Sequence, residues 1–468
     1  MALKIYNTLG RKKETFKPIK KDQVSFYHCG PTVYWIQHLG NLRAMLCADL
    51  VIRTLKYLDY KVKFVRNYTD VGHLTSDQDQ GEDKIEKSAR KEKLTPKQIT
   101  EKYTKIFEQD TKDLNLLEPD IKPKATQSID AMIEMTQVLI DKGFAYITDL
   151  AVYFDVSKAK NYTQLSGQKL EEQLKGAGKG EVIDAQKKNP ADFALWFFKS
   201  GKHEHALQYW KSPFKSSLVE NGQGFPGWHI ECSTMANKYL GKTIDIHMGG
   251  VEHISVHHTN EIAQSEAANG VKFANYWIHN EHLLIDNKKM SKSEGTGYNL
   301  GQIKKKKFNP LALRYLFLQA HYRSKQNFTW QSMKSAQTGF NHLISQIKSL
   351  GDKPGKIDKE YQKKFIKKIS DDFNIPQALA IVRNVLKSSL PNQDKLTTIL
   401  DFDKVLGLSL DRIKRISIPD GIKELAQKRE QARQDKNWPE ADKLREQIEA
   451  QGYQIKDTEK GPKISSGY

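Results

Sequence analysis

Cysteine is nearly missing from this chain: Cys29, Cys47 and Cys232 are the only three in 468 residues. So few exclude a disulfide framework and imply thiols that are kept reduced. Long apolar runs are missing as well. No segment approaches 18 uninterrupted apolar residues, which excludes an ordinary membrane-spanning helix. The first residues, Met1-Ala-Leu-Lys-Ile-Tyr6, lack the charged start, apolar run and small-residue cleavage site of a secretory signal, so the cytoplasm is the expected compartment. Acidic residues are in deficit, with 56 Asp and Glu against 75 Lys and Arg, a formal net charge of +19. That excess favours a polyanionic partner, nucleic acid before others, because Lys and Arg that neutralise phosphates release counterions. A lysine-rich surface that serves only solubility is the alternative.

What is present is enough for two to four domains with real cores, since the hydrophobic content of 38% is ordinary for a soluble protein. Val24-Ser-Phe-Tyr-His28 reads as a strand, followed by a Gly30-Pro31 turn. From Asn41 to about Tyr60 apolar residues recur at helical spacing (Leu42, Met45, Leu46, Leu50, Val51, Leu55, Leu58), and Cys47 falls inside that run as a small core residue. Lys61 to Thr69 then alternates like a strand. Strand, helix, strand is a βαβ unit, which predicts a parallel sheet with its ligand at the carboxyl ends of the strands. His38-Leu-Gly-Asn41 falls at the start of the helix, where free N–H groups and the positive dipole end suit a phosphate, Gly40 permits close approach and His38 supplies a donor. Far downstream, Lys289-Met290-Ser291-Lys292-Ser293 lies in a polar, Gly-flanked stretch that reads as a mobile loop carrying two ammonium groups, suited to a triphosphate. By itself this stretch also fits a solvated basic loop.

His257 and Glu261 are four apart, so on a helix both share one face, the spacing of two ligands to one metal. Cys29 and Cys232 could complete a site of two thiolates, one imidazole and one carboxylate, a set that suits Zn²⁺. They are 203 positions apart, so spacing alone does not join them. His258 is three from Glu261 and can replace His257; His229, His247 and His253 are further candidates or hydrogen-bonded core histidines. Near the end of the chain, in the charged segment Ile422 to Ala450, Glu424, Lys428, Arg429 and Glu430 head one helix and Glu440 to Ala450 form another. Trp438 between them, with Arg433 nearby, is a combination that stacks on and grips unpaired bases.

Five motifs in order, Tyr27-His-Cys-Gly-Pro-Thr-Val-Tyr34, His38-Leu-Gly-Asn41, Gly227-Trp-His-Ile-Glu-Cys232, His257-His-Thr-Asn-Glu261 and Lys289-Met-Ser-Lys-Ser293, resemble the cysteinyl-tRNA synthetase family of class I aminoacyl-tRNA synthetases. The likeness continues through Asp371-Asp-Phe-Asn-Ile-Pro376 and Asn437-Trp-Pro-Glu-Ala-Asp442. The resemblance implies an α/β fold: a Rossmann catalytic domain in two halves (1–112 and 226–275) around a connective insertion (113–225), a connecting region with the KMSKS loop (276–331), a helical bundle (332–410) and an anticodon-binding domain (411–468). It implies a monomeric ligase that activates L-cysteine with ATP and Mg²⁺ and transfers it to the 3′ end of tRNA-Cys. By it Cys29, Cys232, His257 and Glu261 hold one Zn²⁺; His38, Gly40, Asn41, Lys289 and Lys292 handle ATP; Trp228, Thr69 and His247 belong to the substrate pocket; and Arg433, Trp438 and Asp442 face the anticodon.

Zinc gives the expected selectivity a physical basis. An apolar pocket separates near-isosteres such as serine and cysteine by only about a hundredfold, whereas a soft metal prefers a thiolate to a hydroxyl. The chain departs from the family pattern at Thr259, where Glu is usual, at Thr69-Asp-Val-Gly-His73, and at its C-terminus, which lacks the usual Gly-Thr-x-Trp-Arg ending. Two competing functions remain at this stage. A mycothiol-type cysteine ligase shares the activation chemistry but has no segment like 422–457. A non-catalytic tRNA- or zinc-binding paralogue would not require His38, both lysines and all four ligands.

Overall fold

In this computed structural model the described residues are 2–72, 74–76, 80–168, 184–289, 297–413, 419–458 and 461–466. An antiparallel hairpin, β1 (Lys4–Asn7) and β2 (Lys12–Thr15), precedes the expected βαβ unit. That unit is β3 (Gln23–His28), α1 (Leu39–Tyr57) and β4 (Lys61–Arg66), with β3 and β4 parallel and His28 opposite Arg66. α1 is buried on two sides because its apolar residues exceed one stripe. Cys47, Val51 and Leu55 pack on Phe26 and Phe64 of the sheet, while Leu42, Leu46 and Leu50 pack toward later helices.

A short hairpin, β5 (Leu74–Ser76) and β6 (Gln80–Asp83), leads to α2 (Lys84–Glu92) and α3 (Pro96–Asp113). α3 starts at a capping box in which Thr95 and Gln98 satisfy each other's backbone N–H groups, with Pro96 in the first turn. After α4 (Ile129–Asp141) come β7 (Ala145–Ile147), β8 (Ala151–Phe154), β9 (Phe193–Phe198), β10 (Trp210–Lys211) and β11 (Gln223–Pro226). They form an antiparallel sheet in the order β10-β11-β9-β8-β7. β9 is buried at all six positions, Phe-Ala-Leu-Trp-Phe-Phe: Leu195, Trp196 and Phe198 join the core shared with α4 and the central sheet, while Ala194 and Phe197 pack with Phe225 in a smaller cluster.

β11 runs into α5 (Trp228–Leu240), and β12 (Ile244–Gly250), α6 (His257–Asn269) and β13 (Ala274–Asn280) complete a second parallel unit. The central sheet is β13-β12-β3-β4, parallel at every pair. Phe26, Met248 and Ile278 face α1, whereas Tyr27, Val65 and Trp277 face the side that carries Met132 of α4, Met235 of α5 and Ile262 of α6. The chain leaves β3 toward one edge and β12 toward the other. That reversal opens a crevice beyond the carboxyl ends of these two strands.

β14 (Leu283–Ile285), β15 (Lys288–Lys289) and, after α7 (Leu300–Lys305) and α8 (Pro310–Phe317), β16 (Gln326–Phe328) make a small mixed sheet. Helices α9 (Trp330–Lys348), α10 (Lys359–Ile369), α11 (Ile375–Lys387) and α12 (Asn392–Leu406) share a core with α1 and α8. Arg314 of α8 is fully buried there. It donates to Leu406 O (2.7 Å), Leu114 O (3.0 Å) and Asp49 Oδ2 (2.6 Å), joining three parts of the chain. The final unit is α13 (Asp420–Gln434), α14 (Trp438–Ala450) and the hairpin β17 (Tyr453–Thr458) and β18 (Gly461–Ser466), closed over Ile422, Ala426, Ile448 and Ile455. Among the described residues no helix is long and apolar enough to cross a membrane.

Candidate functional site

A cleft of about 400 Å³ lies at the reversal point, lined by the turn after β3, the start of α1, the end of β12, Asn280 and Trp228. His38 is the N-cap of α1, and its Nδ1 accepts the N–H of Asn41 at 3.2 Å. That bond places the ring proton on Nε2 and makes that atom the donor. No acidic side chain occupies the first turn of α1, so its positive end remains available to an anion. His38, Gly40 and Asn41 all line the cleft.

The segment after the predicted loop holds this turn in place. Leu39 N donates to Tyr298 O at 2.7 Å, and His38 forms an antiparallel bridge with Asn299. On the entry side the backbone of Lys289 pairs with Leu284 in β14, next to Leu283, which lines the cleft. The side chain of Lys289 and the whole of Met290 to Thr296, Lys292 included, lie outside the described residues.

Cys29 follows β3, Cys232 stands on α5, and His257 and Glu261 share one face of α6. Their donor atoms all lie within 4.8 Å of one another. Sγ to Sγ is 3.9 Å, Cys29 Sγ to Glu261 Oε1 is 3.7 Å, and His257 Nε2 to Glu261 Oε1 is 3.0 Å. A tetrahedral site with bonds of about 2.0–2.3 Å has edges of about 3.3–3.8 Å, so the four atoms fit one divalent cation. The electrostatics agree. Burial pushes both thiols up, Cys29 well above the usual range with Cys232 and Glu261 adding to it. A cation among them is what would make thiolates stable there.

A second quartet of Cys29, His247, His258 and Glu261 also falls within 4.8 Å. His258 Nε2 is 3.3 Å from Cys29 Sγ, but its Nδ1 is 2.8 Å from His279 Nε2, and none of His247, His258 or Glu261 lines the cleft. Cys29, Cys232 and His257 do line it, so the first quartet presents three donors to the cleft and the second only Cys29. His247, expected in the substrate pocket, is fully buried behind Glu261, with Nε2 at 2.8 Å from Oε2 and its ring stacked on Trp277. Strand alternation aims it at the helix side of the sheet, where it supports Glu261 rather than touching a ligand. His229 does the same for His257, Nδ1 to Nδ1 at 2.9 Å, and burial pushes it down to about 3, so it stays neutral.

Trp228 lines the cleft and stacks on the His257 ring, with centroids 4.1 Å apart and planes at 21°. Thr69 also lines it and donates from Oγ1 to Glu231 Oε2 at 3.0 Å. Just beyond, Gly72 has φ +69°, and a Cβ there would sit 2.5 Å from Pro226 O. The loop that departs from the family pattern therefore follows a path closed to a side chain, while His73 lies outside the described residues. Thr259 is buried and donates to Ile254 O at 2.7 Å, away from the quartet.

Two residues went unnoticed in the sequence. His28, 1% exposed, lines the cleft, and among the described residues neither ring nitrogen has a partner. Arg66 beside it is 2% exposed, and among the described residues its Nε and Nη2 have no partner. The available signal was a polar residue ending each of two adjacent parallel strands.

In the final unit Trp438 is 53% exposed and the Arg433 guanidinium lies 5.6 Å from its ring centre. Arg433 also reaches Asp457 at 3.3 Å. Asp442, four residues after Trp438 on α14, is exposed on the same helix face.

Residues 15–338 match the family model described as the tRNA synthetases class I (C) catalytic domain, and residues 417–462 match the cysteinyl-tRNA ligase anticodon binding domain. A cysteine–tRNA ligase 1 of Burkholderia lata is 42% identical, covering 99% of this chain and 97% of that protein. Cysteine–tRNA ligases of Treponema denticola and Thermus thermophilus are 40% and 39% identical, over 98% and 99% of this chain and the same shares of theirs. Among solved structures, a Mycobacterium tuberculosis methionyl-tRNA synthetase with methionyl-adenylate aligns with a TM-score of 0.55 over 82% of this chain and 90% of that one. At 12% identity it bears on the fold alone.

Proposed function

This chain belongs to the cysteine–tRNA ligase family of class I aminoacyl-tRNA synthetases, and from that premise we propose how its cleft chooses and activates cysteine. Cys29, Cys232, His257 and Glu261 hold one Zn²⁺. The observation that carries this reading is the convergence of two thiols and an imidazole on the wall of the cleft that also holds the start of α1, with the buried Glu261 carboxylate within 4.8 Å of all three. Bound there, the metal supplies a soft Lewis acid that favours the thiolate of cysteine over the hydroxyl of serine.

The chain's own residues do the rest. His247 and His229 keep Glu261 and His257 in one orientation, and Trp228 and Thr69 wall the amino-acid end. ATP enters with its Mg²⁺, its phosphates toward the first turn of α1. The cysteine carboxylate attacks the α-phosphorus, a carboxyl O–P bond forms, the bond to the bridging oxygen breaks, and pyrophosphate leaves. His38 Nε2–H, the backbone around Gly40 and Asn41, and the ammonium groups of Lys289 and Lys292 offset the growing negative charge. In the second step the 2′-OH of the terminal ribose of tRNA-Cys attacks the adenylate carbonyl and AMP departs. Arg433, Trp438 and Asp442 grip the anticodon loop of that tRNA, the exposed ring stacking on a base while the guanidinium pairs with phosphate.

The proposed division of labour gives 1–112 and 226–275 to activation, 113–225 to the insertion, 276–331 to the loop, 332–410 to the bundle and 411–468 to the anticodon, in a cytoplasmic monomer. The test is pyrophosphate exchange into ATP with cysteine against serine, alongside metal analysis and a zinc chelator. Cysteine-selective exchange, one zinc per chain and loss of both on chelation are expected. Exchange that survives complete removal of zinc with selectivity intact would overturn the metal assignment.

A further inference from the structure

His28 is the last residue of β3, and Arg66 is its partner in register on β4. Both lie on the α1 side of the sheet, two residues on from Phe26 and Phe64, which pack on that helix. His28 reaches the floor of the cleft beside Gly40, Asn41 and Ala44, yet it is 1% exposed and neither ring nitrogen has a partner among the described residues. Arg66 is 2% exposed, its guanidinium 4.9 Å from the Phe64 ring, with Nε and Nη2 unpartnered. Asp49 is the carboxylate that acts on it, but both Asp49 oxygens are already taken, Oδ2 by Arg53 and Arg314 and Oδ1 by Leu117 N. Among the described residues the Arg66 guanidinium thus meets no anion and the His28 imidazole no partner, and both carry a desolvation cost that a ligand would relieve.

We propose that His28, with the Arg66 charge directly behind it, contacts the α-phosphoryl group of the bound nucleotide. This rests on the nucleotide reading of the cleft given above. The argument for a phosphoryl oxygen, rather than a base or ribose, is that the start of α1 and His28 both line the floor while the Arg66 charge, on the neighbouring strand, acts on His28, and each favours an anion there. His28 touches the reacting group, and Arg66 is a positioning residue that acts through it. As the carboxylate adds and pyrophosphate departs, charge on the equatorial oxygens of the α-phosphorus is shared with the imidazole N–H.

The test uses the full chain carrying His28→Val, which keeps a strand-forming side chain without nitrogen, and His28→Gln, which restores a donor. Binding is measured with α,β-methylene-ATP and with adenosine, together with the zinc content and melting temperature of each protein. His28→Val is expected to weaken the triphosphate analogue about 5- to 30-fold and adenosine less than about twofold, with His28→Gln recovering most of the loss. In cysteine-dependent exchange, kcat should fall about 10- to 100-fold while KM for cysteine stays within about twofold. Equal weakening of analogue and adenosine, an unchanged kcat, loss of zinc, or a glutamine variant no better than valine would each overturn the assignment. A wild-type protein that binds the analogue but shows no cysteine-dependent exchange would instead sink the ligase mechanism, and the binding comparison would still decide the role of His28.

Discussion

Replacing Trp228 with leucine removes a stacking contact that the His257 ring makes with a residue lining the cleft. The ring meets the Trp228 stack at 4.1 Å, His229 at 2.9 Å and Glu261 at 3.0 Å, with His253 at 5.2 Å between ring centres. Trp228→Leu removes the first and keeps the others, so the metal should remain bound. An aromatic stack of this kind contributes about 0.5–1.5 kcal/mol beyond its buried area. With RT near 0.59 kcal/mol that is a factor of about 2 to 13, and it should appear in KM for cysteine because the ring borders the amino-acid end. The assay is pyrophosphate exchange at saturating ATP with cysteine varied, then the reverse, with zinc measured in each preparation. Trp228→Phe, which can still stack, should stay within about twofold of the parent. A KM for ATP that rises as much as that for cysteine would show general collapse of the cleft. A cysteine KM unchanged in Trp228→Leu would show that the stack orients nothing.

Arg314→Met should cost about 3–5 kcal/mol in urea unfolding, since it strands Leu406 O and Leu114 O and removes half of a buried ion pair; a loss below about 1 kcal/mol would refute that. Trp438→Ala should lower kcat/KM for tRNA by about 1–3 kcal/mol of stacking and leave pyrophosphate exchange alone, so a matching fall in exchange would count against an anticodon role. Asp110, in the last turn of α3, is raised from 3.8 to about 6 by burial and by Asp113. The folded protein therefore favours the neutral acid, an advantage present below pH 4 and lost as pH rises through 6. Asp110→Asn should stabilise by about 1–3 kcal/mol at pH 8 and by almost nothing at pH 3.5, and a gain equal at both would contradict the cause given.

The start of α1 was legible because caps and turns are local: a His N-cap, Gly40 and a run of helically spaced apolar residues need no distant partner. The pairing of His257 with Glu261 was legible for the same reason, four positions on one helix. Cys29 and Cys232 were not joined by any spacing; only the family likeness suggested their meeting, and the 3.9 Å contact depends on how β3 and α5 pack. His247 was open between a metal candidate and a core histidine, and its place in the substrate pocket came with the family likeness, because strand alternation alone does not say which face of a sheet meets the cleft. The antiparallel sheet from Ala145 to Pro226 was hidden by short strands and by the Lys- and Gln-rich stretch between them, although Phe193–Phe198 is a plain buried-strand signature.

The contact between Cys29 and Cys232 also has a meaning in time. A ribosome adding about 5–20 residues per second needs about 10–40 seconds to cover the 203 positions between them, and somewhat longer to reach Glu261. Throughout that interval the growing chain already carries the helix start for nucleotide but only one of the four donors. Neither pocket is complete until late in synthesis: the donor set closes with Glu261, and the helix start that meets nucleotide is held only once Tyr298 and Asn299 are made. A truncated product ending before residue 232 should hold no metal and discriminate between no amino acids, so an interrupted copy of this enzyme is silent rather than error-prone.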